Sequence, residues 1–275
     1  MESIAPEDAA EQEPKRHTRS ISQLKAWTRC GQAFYLERFR RADLPIRPAP
    51  WTILGVAFHD AVMEWEKSNR DIDVLDYFAI EYDRIVDEEW ERQPDHNLWV
   101  LPPNTKSVTT GIKNYRERGL KQLPAYVERC LNAPWEISHI EKTFEIDLDG
   151  IVVRGGVDRI LYYPGDDTYL VEDLKTGNLK GEDDIRQLAF YAFIARELWD
   201  VPVNEGRYWF TKMDRGSVPI DLRRYDKKFW AEEFRQLDKG ISNEVFLAHP
   251  GDVCGICAVK PWCSTMGDRE IGEPL

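Results

Sequence analysis

Two short runs carry residues whose types and spacing suit phosphoryl chemistry. Gly156-Val157-Asp158-Arg159 places an acid in an otherwise apolar stretch, and Val171-Glu172-Asp173-Leu174-Lys175-Thr176-Gly177 places an acid and a lysine two residues apart. Side chains alternate faces along a strand, so Asp173 and Lys175 share one face while Glu172 and Leu174 take the other. If the two runs are strands paired across Pro164-Gly165-Asp166-Asp167, Asp158 falls near Asp173. Two carboxylates meeting at a partly buried sheet end are costly unless protonated or metal-bound. Mg²⁺ or Mn²⁺ is the natural partner, being a hard cation that prefers oxygen. Such an ion acidifies water and neutralises charge on a phosphoryl oxygen, and Lys175 beside it would orient that water or stabilise a pentacovalent transition state. Taken alone, an Asp-x-Lys triplet also recurs by chance on the solvent face of ordinary hairpins. Glu172 faces the wrong way on the alternation argument and is set aside.

The second constellation is sulfur. Of five cysteines, Cys254, Cys257 and Cys263 form a C-x₂-C-x₅-C run within the last 22 residues. An odd count in a chain without a signal-peptide core speaks for ligation rather than a disulfide framework. Three thiolates leave a tetrahedral site one ligand short, and Cys30 is the best fourth. Cys130, near Leu123, Tyr126 and Val127, reads as a small core residue.

The elements that must position these groups follow from periodicity. Residues 20–39 read as one helix, capped by Ser20 or Ser22, with Leu24, Trp27, Phe34 and Tyr35 as its apolar stripe. A Pro-rich connector over 44–50 leads to an amphipathic helix over 55–67, with Val56, Phe58, Val62 and Trp65 inward. Residues 74–92 and 108–132 make two charge-paired helices, separated by Pro102-Pro103-Asn104. At Ile137 the period becomes alternating: strands are expected over 138–148, 151–163 and 168–174, with turns at Asp149-Gly150 and Pro164–Asp167. A helix over 183–198, a strand over 205–210 and a helix over 226–247 complete an α/β sandwich with a helical N-terminal extension.

Composition sets outer bounds. A chain of 275 residues with ten tryptophans can bury a substantial core. No apolar run approaches the roughly 20 residues of a membrane span, so no membrane partner is expected and the default is a cytoplasmic protein. Residues 1–18, polar and Pro-containing, read as a disordered tail. The net charge of −12 argues mildly against nucleic acid, although a local basic channel can coexist with an acidic remainder. Basic clusters occur at Arg38, Arg40 and Arg41 and at Lys113, Arg116, Arg118 and Lys121, each readable as a solvated helix face.

The order Gly-x-x-Asp (Gly155 to Asp158), Asp-x-Lys-Thr-Gly (Asp173 to Gly177) and Gln-x-x-x-Tyr (Gln187 to Tyr191) resembles the RecB-type branch of the PD-(D/E)XK nucleases. The resemblance runs from about Ser20 to Cys263; residues 68–135 match nothing specific and read as a helical insertion that would shape a channel for a single strand. It implies a restriction-endonuclease-like core: a central mixed sheet flanked by helices over 136–247, a helical region over 19–135, and a cysteine-rich segment over 248–275. It implies that Asp158 and Asp173 bind the metal, that Lys175 assists catalysis, and that Gln187 and Tyr191 reach into the cleft from one helix face. Gly55-Val56-Ala57-Phe58-His59 matches an early Gly-x-x-x-His, which makes His59 a metal ligand beside Asp158, Asp173 and the Leu174 backbone carbonyl. Imidazole in that set favours Mn²⁺ over Mg²⁺. Glu141 stands where the family often opens its first strand with a glutamate.

The branch includes iron–sulfur members similar to CRISPR-associated exonucleases, which take one cysteine from the N-terminal helix and three from the C-terminal end. This implies a [4Fe-4S] cluster at Cys30, Cys254, Cys257 and Cys263, with zinc as the alternative. The expected function is metal-dependent DNA hydrolysis, an exonuclease on single strands or duplex ends, in a bacterial, archaeal or phage-infected cell. Homo-oligomers and recombination or CRISPR-type proteins are its candidate partners. A non-catalytic DNA-binding accessory protein with the same fold, or a zinc-stabilised interaction domain, are the alternatives.

Overall fold

The computed structural model describes residues 18–177 and 185–271. The expected tail lies outside them except for Thr18, which belongs to a short strand, β1 (Thr18–Arg19). Helix α1 (Ile21–Arg29) opens on a reciprocal capping box: the Ser20 hydroxyl accepts from the Gln23 amide, and the Gln23 side chain accepts from the Ser20 amide. The single helix expected over 20–39 is divided at Cys30, whose extended backbone (φ −164°, ψ 106°) ends α1 and starts α2 (Gly31–Phe39). The cause is tertiary. The Gln32 amide donates to the Leu247 carbonyl at 3.2 Å, and the His249 amide reaches the Cys30 sulfur at 3.5 Å. A Cβ on Gly31 would meet the Leu247 nitrogen at 2.8 Å, so only glycine lets the C-terminal segment cross here.

Helix α3 (Pro50–Lys67) starts at Pro50 rather than Gly55, since the first turn needs no proline amide. Helices α4 (Val74–Arg92) and α5 (Val108–Leu131) are capped by the side chains of Asp73 and Ser107. Together α3, α4 and α5 bury Phe58, Trp65, Phe78, Tyr82 and Tyr126 in one core, which also takes Leu161 and Leu170 from the sheet.

The alternating segments form β2 (Glu136–Leu148), β3 (Ile151–Tyr163) and β4 (Thr168–Lys175), the expected antiparallel meander. Asp149 (φ 53°) and Gly150 (φ 90°) are both left-handed, the two-residue turn that matches strand twist. Helix α6 (Arg186–Trp199) crosses over to β5 (Val203–Phe210), which pairs parallel with β4. Residues 183 and 184 of the helix expected there lie outside the described residues. Two short strands, β6 (Arg215–Gly216) and β7 (Ile220–Asp221), pair with β5. Helix α7 (Lys227–Ser242) ends earlier than the expected 247, because Glu244 turns left-handed (φ 56°) and the Val245 amide bonds the Gly240 carbonyl at 2.8 Å. The chain is thereby released to run across the α1–α2 junction.

The result is a mixed sheet between two helical layers, the α/β architecture expected. Helices α1, α6 and α7 cover one face around Val157, Val171, Phe190 and Trp230. Among the described residues no helix is long and apolar enough to cross a membrane.

Candidate active site

One edge of β3 is paired twice, with β1 at Val152–Val153 and with β4 from Ile160 onward. Among the described residues no strand pairs with that edge between those stretches, and Asp158 lies there. Continuing the register Ile160↔Val171 by two residues sets Asp158 opposite Asp173, just past the last paired position. Strand β4 stays paired to β5 through Lys175. The two strands therefore fork, and the acids face each other across the fork.

Helices α3 and α6 bring the remaining groups. His59 Nε2 on α3 lies 3.6 Å from Asp158 Oδ2. On α6, Tyr191 donates its hydroxyl to Asp158 Oδ1 at 3.3 Å, and Gln187 Nε2 donates to that hydroxyl at 3.0 Å. Lys175 Nζ is 2.5 Å from Asp173 Oδ2 and 5.2 Å from the Tyr208 ring centre. A cavity of ≈290 Å³ opens beside them, lined by Gly55, Phe58, His59, Leu174, Lys175 and Thr176 among others. The sequence-derived set His59, Asp158, Asp173, Leu174, Lys175, Gln187 and Tyr191 thus converges on one cleft.

The electrostatics of the acids are divided. Burial pushes both carboxyls up. At Asp158 the adjacent His59 more than reverses this, and the pKa is lowered. At Asp173, only 3 % exposed, Lys175 offsets burial in part and repulsion from Asp158 leaves the pKa raised. Burial pushes His59 down, but Asp158 and then Asp173 more than compensate, so its pKa is raised. Among the described residues no three His, Cys, Asp or Glu side chains form a ready-made metal-holding group; the acids are engaged with His59, Tyr191 and Lys175.

Glu172 faces away from the cleft, as alternation requires. It is fully buried against Arg159, with Arg129 of α5 and Arg207 of β5 donating to it at 2.7 and 2.6 Å. Glu141 lies across from Asp158 in the β2–β3 register, at φ 43°, with its carboxylate taken by Lys67. Sequence reasoning missed Lys25. This α1 residue donates to Gln187 Oε1, and its charge acts on Asp173. No motif signals it, because α1 reaches the cleft only through its packing on α6. The Arg116 side chain, in a cluster readable as a solvated face, is paired with Asp83 at 2.7 Å.

At the other end of α1, Cys30, Cys254, Cys257 and Cys263 are all half-buried thiols. Cys30 and Cys257 pack on one small cluster with Leu36, Val259 and Trp262. The Gly251 amide reaches the Cys254 sulfur at 3.5 Å, and Cys263 follows a helical turn at Lys260–Trp262. Burial, with the charge of Glu37 and then the neighbouring Cys30 and Cys254, raises the Cys257 pKa against a backbone hydrogen bond from Val259. The four are not gathered into a closed site. Cys130 is buried on α5, as expected of a core residue, and burial pushes its thiol to about 11.

The chain is similar to known proteins. The chain is 30% identical over 268 residues to the Gene 69 protein of Mycobacterium phage D29, covering 89% of this chain and 96% of that one. It is 28% identical over 286 residues to the Gene 69 protein of Mycobacterium phage L5, with 89% and 95% covered. A solved structure of a candidate exonuclease from Eubacterium rectale aligns over 100% of this chain and 97% of its own, with a TM-score of 0.44 and 12% identity. The sequence model of the PD-(D/E)XK nuclease superfamily matches residues 18–264, nearly the whole described chain, and the protein belongs to that superfamily.

Proposed function

We propose that this nuclease hydrolyses DNA phosphodiester bonds with a divalent cation, as an exonuclease on single strands or duplex ends. The observation that carries the reading is the fork between β3 and β4, which sets Asp158 and Asp173 face to face with Lys175 beside a cavity. The donor set suits Mg²⁺ or Mn²⁺. Asp173 Oδ2 is buried with Lys175 as its ion-pair partner, and two opposed carboxylates at a buried fork are a site a divalent cation would relieve. Asp158, Asp173, His59 and the Leu174 carbonyl would hold the ion, His59 favouring Mn²⁺. When bound, the cation offsets charge on the phosphoryl oxygens and eases loss of a proton from water.

The chain's own groups do the rest. Lys175 orients the attacking water and balances charge on the phosphoryl group. Tyr191, steadied by Gln187, fixes the Asp158 carboxylate. Helices α4 and α5 shape the approach for a strand. The exonuclease assignment rests on the resemblance of the Asp158, Asp173–Gly177 and Gln187–Tyr191 pattern to the RecB-type branch, and the phage relatives support action inside an infected host cell.

We further propose that the four cysteines hold a [4Fe-4S] cluster that fastens the C-terminal segment to α1, with zinc as the alternative. The convergence of Cys30 and Cys257 from opposite ends of the chain, with amides directed at two of the sulfurs, supports it. Anaerobically purified protein should be brown, with broad absorbance near ~400 nm, and colourless protein holding one zinc would overturn the cluster. The test of the activity is digestion of end-labelled single- and double-stranded DNA with Mg²⁺ or Mn²⁺, resolved by product length. Metal-dependent shortening by wild type, absent in Asp173→Ala, is expected. Equal degradation by both refutes the site, and binding without cleavage selects the accessory-protein reading.

A further inference from the structure

Lys25 has no place in the motif set, yet the fold delivers it to the cleft. The capping box at Ser20 fixes the start of α1, and buried Ile21 and Leu24 seat the helix in the core that α6 shares. The neighbouring Lys25 side chain is thereby directed along α6 to Gln187, to which it donates a hydrogen bond. From there a chain of contacts runs through Tyr191 to Asp158. Lys25 thus stands on the α6 side of the carboxylate pair, and Lys175 on the β4 side.

The placement has an electrostatic rationale. A strand entering the cleft brings one negative charge per phosphate. The charges of Asp158 and Asp173 largely offset those of a divalent cation and Lys175, leaving little to hold the phosphates on either side of the reacting one. We propose that Lys25, with Gln187, forms a second phosphate subsite, which binds the diester adjacent to the scissile one in a single DNA strand. This rests on the nuclease reading. Lysine suits the role as a compact point charge on a flexible stem, able to move from Gln187 Oε1 to a phosphate oxygen while the Gln187 amide stays on Tyr191.

The test measures binding of an end-labelled single strand to the intact protein, with Ca²⁺ in place of Mn²⁺, across 50–200 mM salt. Wild type, Lys25→Arg and Lys25→Met are compared, with melting temperatures as a check on folding. Lys25→Met should lose about 3- to 10-fold in affinity, and the slope of log affinity against log salt should shrink by about 0.7, the contribution of one phosphate contact. Lys25→Arg should keep the wild-type slope, and the cleavage defect of Lys25→Met should appear mainly in KM. An unchanged slope, with any defect confined to kcat, overturns the subsite, because a lysine that merely holds Gln187 gives that result. If wild type binds the strand but leaves it uncut when Mn²⁺ replaces Ca²⁺, the nuclease reading falls while the slope still decides Lys25. If it binds no strand, both fall.

Discussion

Replacing Glu172 by glutamine should destabilise the protein substantially, although Glu172 touches nothing in the cleft. Its carboxylate is 0 % exposed and receives hydrogen bonds from Arg129, Arg159 and Arg207. Burial raises its pKa, but the three guanidiniums, Arg159 first, outweigh that and bring it down to about 2 from an ordinary 4.5. A carboxyl lowered this far corresponds to about 3 kcal/mol of stability at neutral pH. Glutamine also leaves the buried Arg159 and the half-buried Arg129 and Arg207 short of a counter-charge, and breaking a buried pair costs about 3–5 kcal/mol. At ~2–4 °C per kcal/mol for a chain of this size, the melting temperature at pH 7 should fall by 6 °C or more. The pH dependence is specific. A lowered carboxyl pKa contributes stability that is complete above the unfolded value and is lost as pH falls from about 4.5 toward about 2. The gap between wild type and Glu172→Gln should therefore be widest at pH 6–7 and narrow as pH falls below 4.5. Thermal unfolding followed by circular dichroism measures both. A variant melting within about 2 °C of wild type at pH 7, or a gap that does not narrow in acid, would refute this account of the buried cluster.

Other expectations concern the cleft and the C-terminal seam. If Asp173 is a cation ligand, its raised pKa sets a proton in competition with the cation. Mn²⁺ affinity measured by calorimetry should tighten as pH rises through the acid range and level off once Asp173 is ionised; a pH-independent affinity would count against Asp173 as a ligand. Tyr191→Phe removes the hydroxyl between Gln187 and Asp158, and at about 1 kcal/mol for one hydrogen bond kcat/KM should drop about 5-fold, whereas full activity would remove Tyr191 from the machinery. Gly31→Ala forces the Leu247 backbone to shift and should cost about 1–3 kcal/mol by overpacking, with reduced iron or zinc content in the purified protein. Gly55→Ala, whose added methyl meets nothing nearer than the Thr176 hydroxyl at 3.9 Å, is the tolerated control.

What was legible in the sequence was local in origin. The β2–β3–β4 meander could be read because its turns, Asp149-Gly150 and Pro164–Asp167, are short and its alternation is regular, so the approach of Asp158 to Asp173 followed from counting. Gln187 and Tyr191 were visible as a one-face pair on a helix. The features that escaped depend on partners remote in sequence. The break at Cys30 exists because Leu247 and His249 cross there, and α7 stops early to let them. Lys25 reaches the site through the α1–α6 packing, and Arg129 reaches Glu172 from a helix that matched no motif. Periodicity reports which face of an element is buried, and not what it is buried against.

One further consequence of alternation ties the buried cluster to the site. Asp158-Arg159 on β3 and Glu172-Asp173 on β4 are dipeptides that the register sets opposite each other, so each contributes one charge to each face of the sheet. On the cleft face the opposed pair is Asp158 and Asp173, which repel. On the buried face it is Arg159 and Glu172, which attract at 0 % exposure. The repulsive pair favours opening the fork, and the attractive pair one step along the ladder holds the strands at its base. Because the two pairs alternate residue by residue, the opposed carboxylates are sustained without losing the sheet. Glu172→Gln should accordingly weaken Mn²⁺ binding as well as lower the melting temperature, since the strand that carries Asp173 loses its anchor. A variant that melts lower but binds Mn²⁺ with wild-type affinity would show that the buried cluster stabilises the fold without positioning the site.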